Sequence, residues 1–163
     1  MHKVFLGIGG NLGIKSDNFK KVHLSIQHEL GAIVNKSSVY ETPPWGFEAN
    51  EGFWNQVLEI TTNYSPPELL AKIHEIENQF GRKRNEKTYS SREMDIDILY
   101  YDDIFMEAQN LTIPHPLMYQ RKFVLVPLAE IAPQFKHPLL RLTSVQMLEN
   151  CRDESVIKKI QTE

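Results

Sequence analysis

The stretch SPPELLAKIHEIENQFG, from Ser65 to Gly81, contains the clearest helix in the sequence, and the rest of the fold can be built outward from it. Ser65 is the predicted N-cap, Pro66 takes the first helical position, and Glu68 completes a capping box with Ser65. Gly81 ends the helix. Apolar residues recur every three or four positions and form one buried stripe: Leu69, Ile73, Ile76 and Phe80. The pattern predicts a helix that packs this stripe against a sheet.

Strand patterns lie on both sides of this helix. FWNQVLEITTN (residues 53–63) precedes the helix and MDIDILYY (94–101) follows it. Nearer the N-terminus, HKVFLGI (2–8) and AIVNKSSVYE (32–41) are also rich in apolar and β-branched residues and are predicted strands. SDNFKKVHLSIQHELG (16–31) has helical periodicity and connects those two. The predicted order is therefore strand, helix, strand, strand, helix, strand.

That order is the split βαβ pattern of ferredoxin-like folds. We therefore predict an α+β fold: a ferredoxin-like antiparallel sheet with helices packed on one face and additional C-terminal elements. The additions are a hairpin partner for the last strand at IFME (104–107), a short helix around 123–131 and a weak helix near 144–150. Residues 1–163 are expected to form one domain. No second catalytic domain is expected, so the chain is predicted to be monofunctional.

Composition restricts the partners that this chain is expected to have. The 163 residues are 41% hydrophobic and 24% charged, with a formal net charge of −3, so neither nucleic acid nor an anionic membrane is an expected partner. No apolar run reaches the roughly 18 residues of a membrane span. Cys151 is the only cysteine, which fits a reducing compartment. Six histidines lack the spacing of a zinc site. We expect a cytoplasmic monomer.

A basic segment, residues 82–92, departs from this acidic average. Arg82, Lys83, Arg84, Lys87 and Arg92 face only one acid in the segment, so it carries +4 and the rest of the chain carries −7. Such a local excess favours a compact anionic ligand over a polyanion that covers a whole face. A solvated surface loop is the alternative and would be preferred for a charge run in isolation.

Two carboxylates follow the basic segment in the strand MDIDILYY. Because side chains alternate along a strand, Asp95 and Asp97 share one face, about 6.6 Å apart at the backbone. Without a cation the pair would repel by roughly 2.5 kcal/mol at an effective dielectric constant near 20. Oxygen ligands alone favour Mg²⁺, which often takes substrate phosphates as further ligands. A half-exposed polar strand face is the alternative, but the adjacent arginines favour a Mg²⁺–nucleotide site.

The N-terminal stretch GIGGNLGIKSD (residues 7–17) superficially suggests a phosphate-binding loop. Ile14 separates Gly13 from Lys15, which excludes a Walker loop, and Leu12 stands where a dinucleotide fingerprint needs a third glycine. We interpret these glycines as turn residues between a strand and a helix. The basic segment is therefore the candidate for holding phosphates.

A second ligand position is suggested by Phe53 and Asn55, which share one face of their predicted strand. An aromatic ring beside an amide suits a flat heteroaromatic ligand, because the ring can stack and the amide can both donate and accept. A core phenylalanine beside a surface asparagine is the commoner explanation of such a pair.

Together these motifs resemble the 6-hydroxymethyl-7,8-dihydropterin pyrophosphokinases of folate biosynthesis. The family signature, a basic loop followed by R-x-x-D-[aliphatic]-D, is matched by Arg92, Asp95 and Asp97. GGNLG, YETPPWG, FWNQV, SPPELL, GRKR, LTIPHP and EIAP follow the family's order from about Val4 to Pro133. The resemblance implies transfer of a pyrophosphoryl group from ATP to the hydroxymethyl group of 6-hydroxymethyl-7,8-dihydropterin, with release of AMP.

The resemblance also implies a role for each matching position. Asp95 and Asp97 would hold two Mg²⁺ ions, and Arg82 and Arg92 would close over the phosphates as catalytic residues. The pterin-binding residues would be Thr42, Pro43, Trp45, Phe53, Asn55 and Phe123. The ATP-binding residues would be His74, Glu77, Arg84, Tyr89, Arg92, Ile98, Thr112, His115 and Arg121.

Some positions depart from the family pattern. Tyr89 stands where tryptophan is usual, and His74 replaces a usual glutamine. Asn110 and Pro116 replace a common arginine and tyrosine. These departures bear on how tightly the chain is expected to bind ATP and not on the reaction that the resemblance implies.

Two other functions fit parts of the sequence. A ferredoxin-like module could bind nucleic acid or a regulator through the basic segment, although the acidic remainder of the chain argues against it. A different Mg²⁺-dependent enzyme with a D-x-D pair, such as a nuclease or a glycosyltransferase, is the second alternative.

Overall fold

The computed structural model describes residues 1–42, 52–81 and 93–160. The strands are β1 His2–Gly10, β2 Ala32–Lys36, β3 Val39–Thr42, β4 Phe53–Thr62, β5 Asp95–Tyr101, β6 Met106–Ala108, β7 Leu111–Ile113 and β8 Lys158–Ile160. The helices are α1 Lys15–Glu29, α2 Pro66–Gln79, α3 Lys122–Ile131 and α4 Ser144–Asn150, with a 3₁₀ turn at Met118–Gln120. None of the helices among the described residues is long and apolar enough to span a bilayer.

The main sheet is antiparallel throughout and runs in the order β5-β1-β4-β3-β8, with β2 also paired to β4. Strands β1 and β4, which are distant in sequence, are central neighbours. As the split βαβ pattern predicts, α1 connects β1 to β2 and α2 connects β4 to β5. The α+β prediction with an antiparallel sheet is confirmed.

The segment predicted as one strand over 32–41 is two strands, β2 and β3, which both pair with β4. Lys36 faces Leu58 whereas Tyr40 faces Asn55, so one side of the ladder has an extra residue. Ser37 lies at this bulge, where its hydroxyl accepts a hydrogen bond from the backbone N–H of Val57 at 3.0 Å. The side chain replaces a ladder acceptor, which explains why a strand-like sequence is interrupted.

A first core fills the space between one face of the sheet and helices α1 and α2. Its members on α2 and at the C-cap of that helix are the predicted stripe, each at most 6% exposed: Leu69, Ile73, Ile76 and Phe80. The predicted capping box is present, with Glu68 N–H donating to the Ser65 hydroxyl and Ser65 N–H to the Glu68 carboxylate. Gly81 has a φ of 77°, which glycine adopts without strain.

A second core covers the opposite face of the sheet, where α3 and α4 pack. Its strand residues include Phe5, Val57, Leu99 and Tyr100, all at most 2% exposed. The prediction that helices lie on one face is therefore incomplete. Both Leu99 and Tyr100 belong to this core because the pairing of β1 with β5 shifts register there, so that consecutive residues of β5 cover the same side.

The predicted pairing of IFME with β5 is wrong. β6 pairs instead with β7. The turn at Asp102 explains the difference: its N–H donates to the carbonyl of Lys3 at 2.7 Å, and its carboxylate accepts from the N–H of Lys3 at 2.8 Å. These bonds hold the end of β5 against β1, and the chain leaves the sheet with Asp102 at a φ of 49°.

Candidate active site

A cleft opens on the second face of the sheet, between strands β1, β4 and β5 and the first turn of α3. It encloses about 590 Å³, including solvent at its open side. Polar and aromatic residues from distant parts of the sequence line it: Thr42, Phe53, Asn55, Asp95, Asp97, Arg121 and Phe123. The cleft therefore brings together seven of the residues that the sequence assigned to a site.

The two carboxylates of β5 both line the cleft, as their spacing predicts. Asp95 and Asp97 are half-buried, whereas Met94, Ile96 and Ile98 are at most 4% exposed in the first core. The alternation of β5 thus separates an acidic face from an apolar one. Two carboxylates side by side at the wall of a cleft can share a divalent cation, which removes their mutual repulsion.

The glycines of β1 form the floor of the cleft beside these acids, which corrects their interpretation as turn residues. Gly7 lies opposite Asp97, and Gly9 lies opposite both Asp95 and Asn55. A Cβ atom on Gly9 would lie 2.5 Å from the side-chain oxygen of Asn55. The signal that could have revealed this role is the strand alternation itself, which puts both glycines on one face. Within the stretch 7–17, only Gly13, with a φ of 73°, has the positive φ that requires glycine at a turn.

Asn55 presents a buried amide to the cleft. Among the described residues, its side-chain nitrogen is buried without a hydrogen-bond partner. A buried donor without an acceptor costs about 1–3 kcal/mol, so the position favours a ligand that supplies one. Phe53, two residues earlier, and Thr42, its neighbour on β3, are 8% and 4% exposed at the same wall.

The beginning of α3 forms the opposite wall. Arg121 is the N-cap residue of α3 and Phe123 is in its first turn, and both line the cleft. The guanidinium carbon of Arg121 lies 5.6 Å from the centre of the Phe123 ring. A cation and an aromatic face are therefore presented together, one suited to a phosphate and the other to a flat ring.

His115 lies near this wall and is neutral at pH 7. Burial, helped by the positive charge of Arg121 and opposed by Asp95, lowers its pKa to about 4. Its Nδ1 lies 3.2 Å from the backbone N–H of Leu117, and by accepting that hydrogen bond it leaves the ring proton on Nε2. The backbone N–H of His115 donates to the carbonyl of Leu99 at 3.1 Å, which fixes this residue beside β5. Thr112 is half-buried in the neighbouring β7.

Other predicted site residues lie away from the cleft. Glu77 is completely buried on α2 and accepts a hydrogen bond from the backbone N–H of Ile96 at 2.8 Å. His74 is half-buried one turn earlier on the same helix. The Ile98 side chain lies in the first core. Glu77 thus binds the strand segment between the two aspartates.

Six predicted residues lie outside the described residues. Pro43 and Trp45 fall within 43–51, and Arg82, Arg84, Tyr89 and Arg92 fall within 82–92. Within the described part of the chain, no group of three or more His, Cys, Asp or Glu side chains could hold a metal ion. The cleft offers two carboxylates, which suits an ion that takes its other ligands from water or substrate oxygens.

Comparisons with known proteins agree on one family. The family model for 7,8-dihydro-6-hydroxymethylpterin-pyrophosphokinase matches residues 5–133. A 2-amino-4-hydroxy-6-hydroxymethyldihydropteridine pyrophosphokinase from Aquifex aeolicus is 38% identical over 158 residues, covering 97% of this chain and 95% of the relative. The folic acid synthesis protein FOL1 of Dictyostelium discoideum is 37% identical over 147 residues, covering 90% of this chain and 22% of that protein.

Solved structures show the same fold. The crystal structure of Plasmodium falciparum HPPK-DHPS matches with a TM-score of 0.74 and 19% identity, over 92% of this chain and 43% of that one. The chain thus spans less than half of this structure and about a fifth of the Dictyostelium relative, but nearly all of the Aquifex enzyme. It belongs to the 7,8-dihydro-6-hydroxymethylpterin-pyrophosphokinase family, whose enzymes transfer a pyrophosphoryl group to hydroxymethyldihydropterin in folate biosynthesis.

Proposed function

We propose that this chain transfers the pyrophosphoryl group of ATP to the hydroxymethyl oxygen of 6-hydroxymethyl-7,8-dihydropterin and releases AMP. That oxygen attacks the β-phosphorus, the bond between this phosphorus and the α–β bridging oxygen breaks, and the hydroxyl proton is released. The observation that carries the proposal is the convergence in one cleft of two carboxylates, a buried unpaired amide and an arginine. This set can bind a flat heterocycle and a metal–phosphate group side by side.

Asp95 and Asp97 are the residues that would hold Mg²⁺, two ions in our proposal. Their donor set fits, because both carboxylates face the cleft and hard oxygen ligands suit Mg²⁺. The bound ions would neutralise charge on the triphosphate and orient it for in-line displacement. This chain's contribution is to keep the two acids on one strand face, with Gly7 and Gly9 leaving room beside them.

The pterin is proposed to stack between Phe53 and Phe123, with Asn55 donating to its edge. This places the aromatic ligand next to the carboxylates, so its hydroxymethyl group can point toward the phosphates. Thr42 lies at the same wall. Pro43 and Trp45 are proposed as further pterin-binding residues.

The phosphates of ATP are proposed to contact Arg121 and His115. A neutral His115 with its proton on Nε2 can donate a hydrogen bond to a phosphate oxygen without adding charge. Arg82 and Arg92, from the basic segment, are proposed to act on the transition state, and Arg84 is proposed to bind ATP. His74, Tyr89 and Thr112 remain proposed nucleotide contacts. The side chains of Glu77 and Ile98 are buried, so we propose no direct contact between them and ATP.

The test is an assay for AMP. The protein is incubated with ATP, Mg²⁺ and 6-hydroxymethyl-7,8-dihydropterin, and AMP is separated and quantified. We expect AMP to form only when the pterin is present and to be abolished by EDTA. AMP formation that does not depend on the pterin, or none at all, would reject the proposal and reopen the nuclease and glycosyltransferase alternatives. Light scattering on the same sample tests the expected monomer.

A further inference from the structure

The segment after α4 returns to the beginning of α3 through Asp153. One carboxylate oxygen of Asp153 accepts a hydrogen bond from the backbone N–H of Lys122 at 3.0 Å. The other oxygen accepts from the N–H of Ser155 at 2.9 Å and from its hydroxyl. The ammonium group of Lys122 in turn donates to the carbonyl of Ser155 at 3.3 Å. These contacts fix the carboxylate between the C-terminal segment and α3.

The beginning of α3 requires such a partner. The first N–H groups of any helix lack acceptors within the helix, and a side chain at the N-cap position usually supplies one. In α3 the N-cap residue is Arg121, whose side chain makes no capping bond. Asp153 satisfies the Lys122 N–H from 31 residues away, and its negative charge also suits the positive end of the helix dipole.

The residues on either side of Lys122 line the cleft. Arg121 precedes it and Phe123 follows it, and both face the cleft from the first turn of α3. Their direction depends on where the helix starts and how its first turn is held. We propose that Asp153 is a positioning residue: by capping α3 it sets the orientation of Arg121 toward the phosphates and of Phe123 toward the pterin. This inference rests on the function proposed above.

A second carboxylate, that of Glu130, shows that α3 is held at both ends. Near its C-terminal end, Glu130 accepts hydrogen bonds from the N–H and hydroxyl of Ser38 and from the hydroxyl of Tyr40, at 2.7 to 3.2 Å. Glu130 therefore fixes α3 to the sheet. Asp153 acts at the other end, where the cleft residues lie, so loss of its cap would release the first turn and leave the rest of α3 attached.

The experiment compares Asp153→Ala with Glu154→Ala in the full chain. Glu154 is the exposed neighbour of Asp153, which makes it the matched control. Steady-state kinetics give KM for ATP and for the pterin separately, together with kcat, and thermal unfolding gives Tm. We expect Asp153→Ala to raise both KM values about fivefold, the effect of losing a helix cap, with kcat changed by less than about twofold. Glu154→Ala should have the KM values of the parent chain.

Mispositioning and loss of folded protein give different results. A smaller folded fraction lowers the apparent kcat and leaves KM unchanged, so that pattern in Asp153→Ala would overturn the proposal. Ser155→Ala is the second variant, since it keeps the carboxylate but removes a hydroxyl that orients it. We expect about a twofold rise in both KM values. If the KM values of Ser155→Ala equal those of Glu154→Ala, the proposal is overturned, even if Asp153→Ala does not fold. If the parent chain forms no AMP that depends on the pterin, the proposed function is rejected instead.

Discussion

Replacing Gly9 with alanine should weaken pterin binding by displacing Asn55. The new Cβ atom would lie 2.5 Å from the Asn55 side-chain oxygen and 3.1 Å from the carbonyl oxygen of Trp54. Ordinary contacts begin near 3.4 Å, so the Asn55 amide must move by about 1 Å or rotate. It is the end of a short side chain and can do so at a cost to folding of about 1 kcal/mol, but it then leaves its position in the cleft.

The size of the effect follows from the hydrogen bonds that the amide is proposed to make. Two bonds to the pterin edge, each worth about 0.5–1.5 kcal/mol, would be lost or bent. The Kd for the pterin should therefore rise by between about 5-fold and about 150-fold. The Kd for a non-hydrolysable ATP analogue should change by less than about twofold. Both constants are measurable by calorimetric titration, with Tm as the check on folding.

Two further variants make this prediction specific. Gly7→Ala is the matched comparison on the same strand. The heavy atoms nearest to its Cβ would be side-chain carbons of Leu99 at 3.6–3.8 Å, which is ordinary contact, so we expect a smaller loss of pterin affinity. Gly9→Ala should have no additional effect in an Asn55→Ala background, since the displaced group is then already absent. Equal losses in the two backgrounds would refute the reasoning, as would an unchanged pterin affinity in Gly9→Ala alone.

Asp97→Ala should lower kcat by about a thousandfold or more, because it removes a metal ligand. Its circular dichroism and Tm should stay near those of the parent, because the substitution also removes the repulsion between the two carboxylates. An unfolded variant would show that Asp97 is structural. Arg92→Ala should lower kcat more than it weakens binding of an ATP analogue, and equal losses would contradict a transition-state role. The free energy of unfolding should fall as the pH drops from 6.5 to about 4, because burial lowers the pKa of His115 to about 4 and the unfolded chain then binds more protons. Urea unfolding of His115→Gln at several pH values should show a weaker pH dependence, and an unchanged slope would be evidence against this assignment.

Local signals in the sequence were sufficient for the elements that depend on local physics. The capping box of Ser65 and Glu68 and the alternation of β5 involve residues within a few positions of one another, and both are present in the structure. The break at Ser37 was missed because it depends on a hydrogen bond to Val57, 20 residues away. The strand propensity of residues 32–41 does not indicate that Ser37 will bind the backbone of Val57.

Prediction of the cleft residues was limited in the same way, by contacts between residues distant in sequence. Asp95, Asp97, Phe53 and Asn55 were found from strand alternation, because each pair lies within one strand. The role of Gly9 was missed because it depends on its pairing with both β4 and β5. The C-terminal segment had no predicted structure for a similar reason, since β8 is a strand only through its pairing with β3, which is distant in sequence.

The two cores have a practical consequence for engineering this fold. The cleft draws its walls from the face that packs on α3 and α4, whereas Ile73 and its neighbours on α2 pack on the reverse side of the same sheet. Repacking around Ile73 therefore acts on the side of the sheet away from the cleft, provided that Glu77 on the same helix keeps its hydrogen bond to Ile96, between the two aspartates. The two faces of the sheet can therefore be engineered for different purposes: the face that packs on α1 and α2 for stability, and the face with the cleft for substrate selectivity.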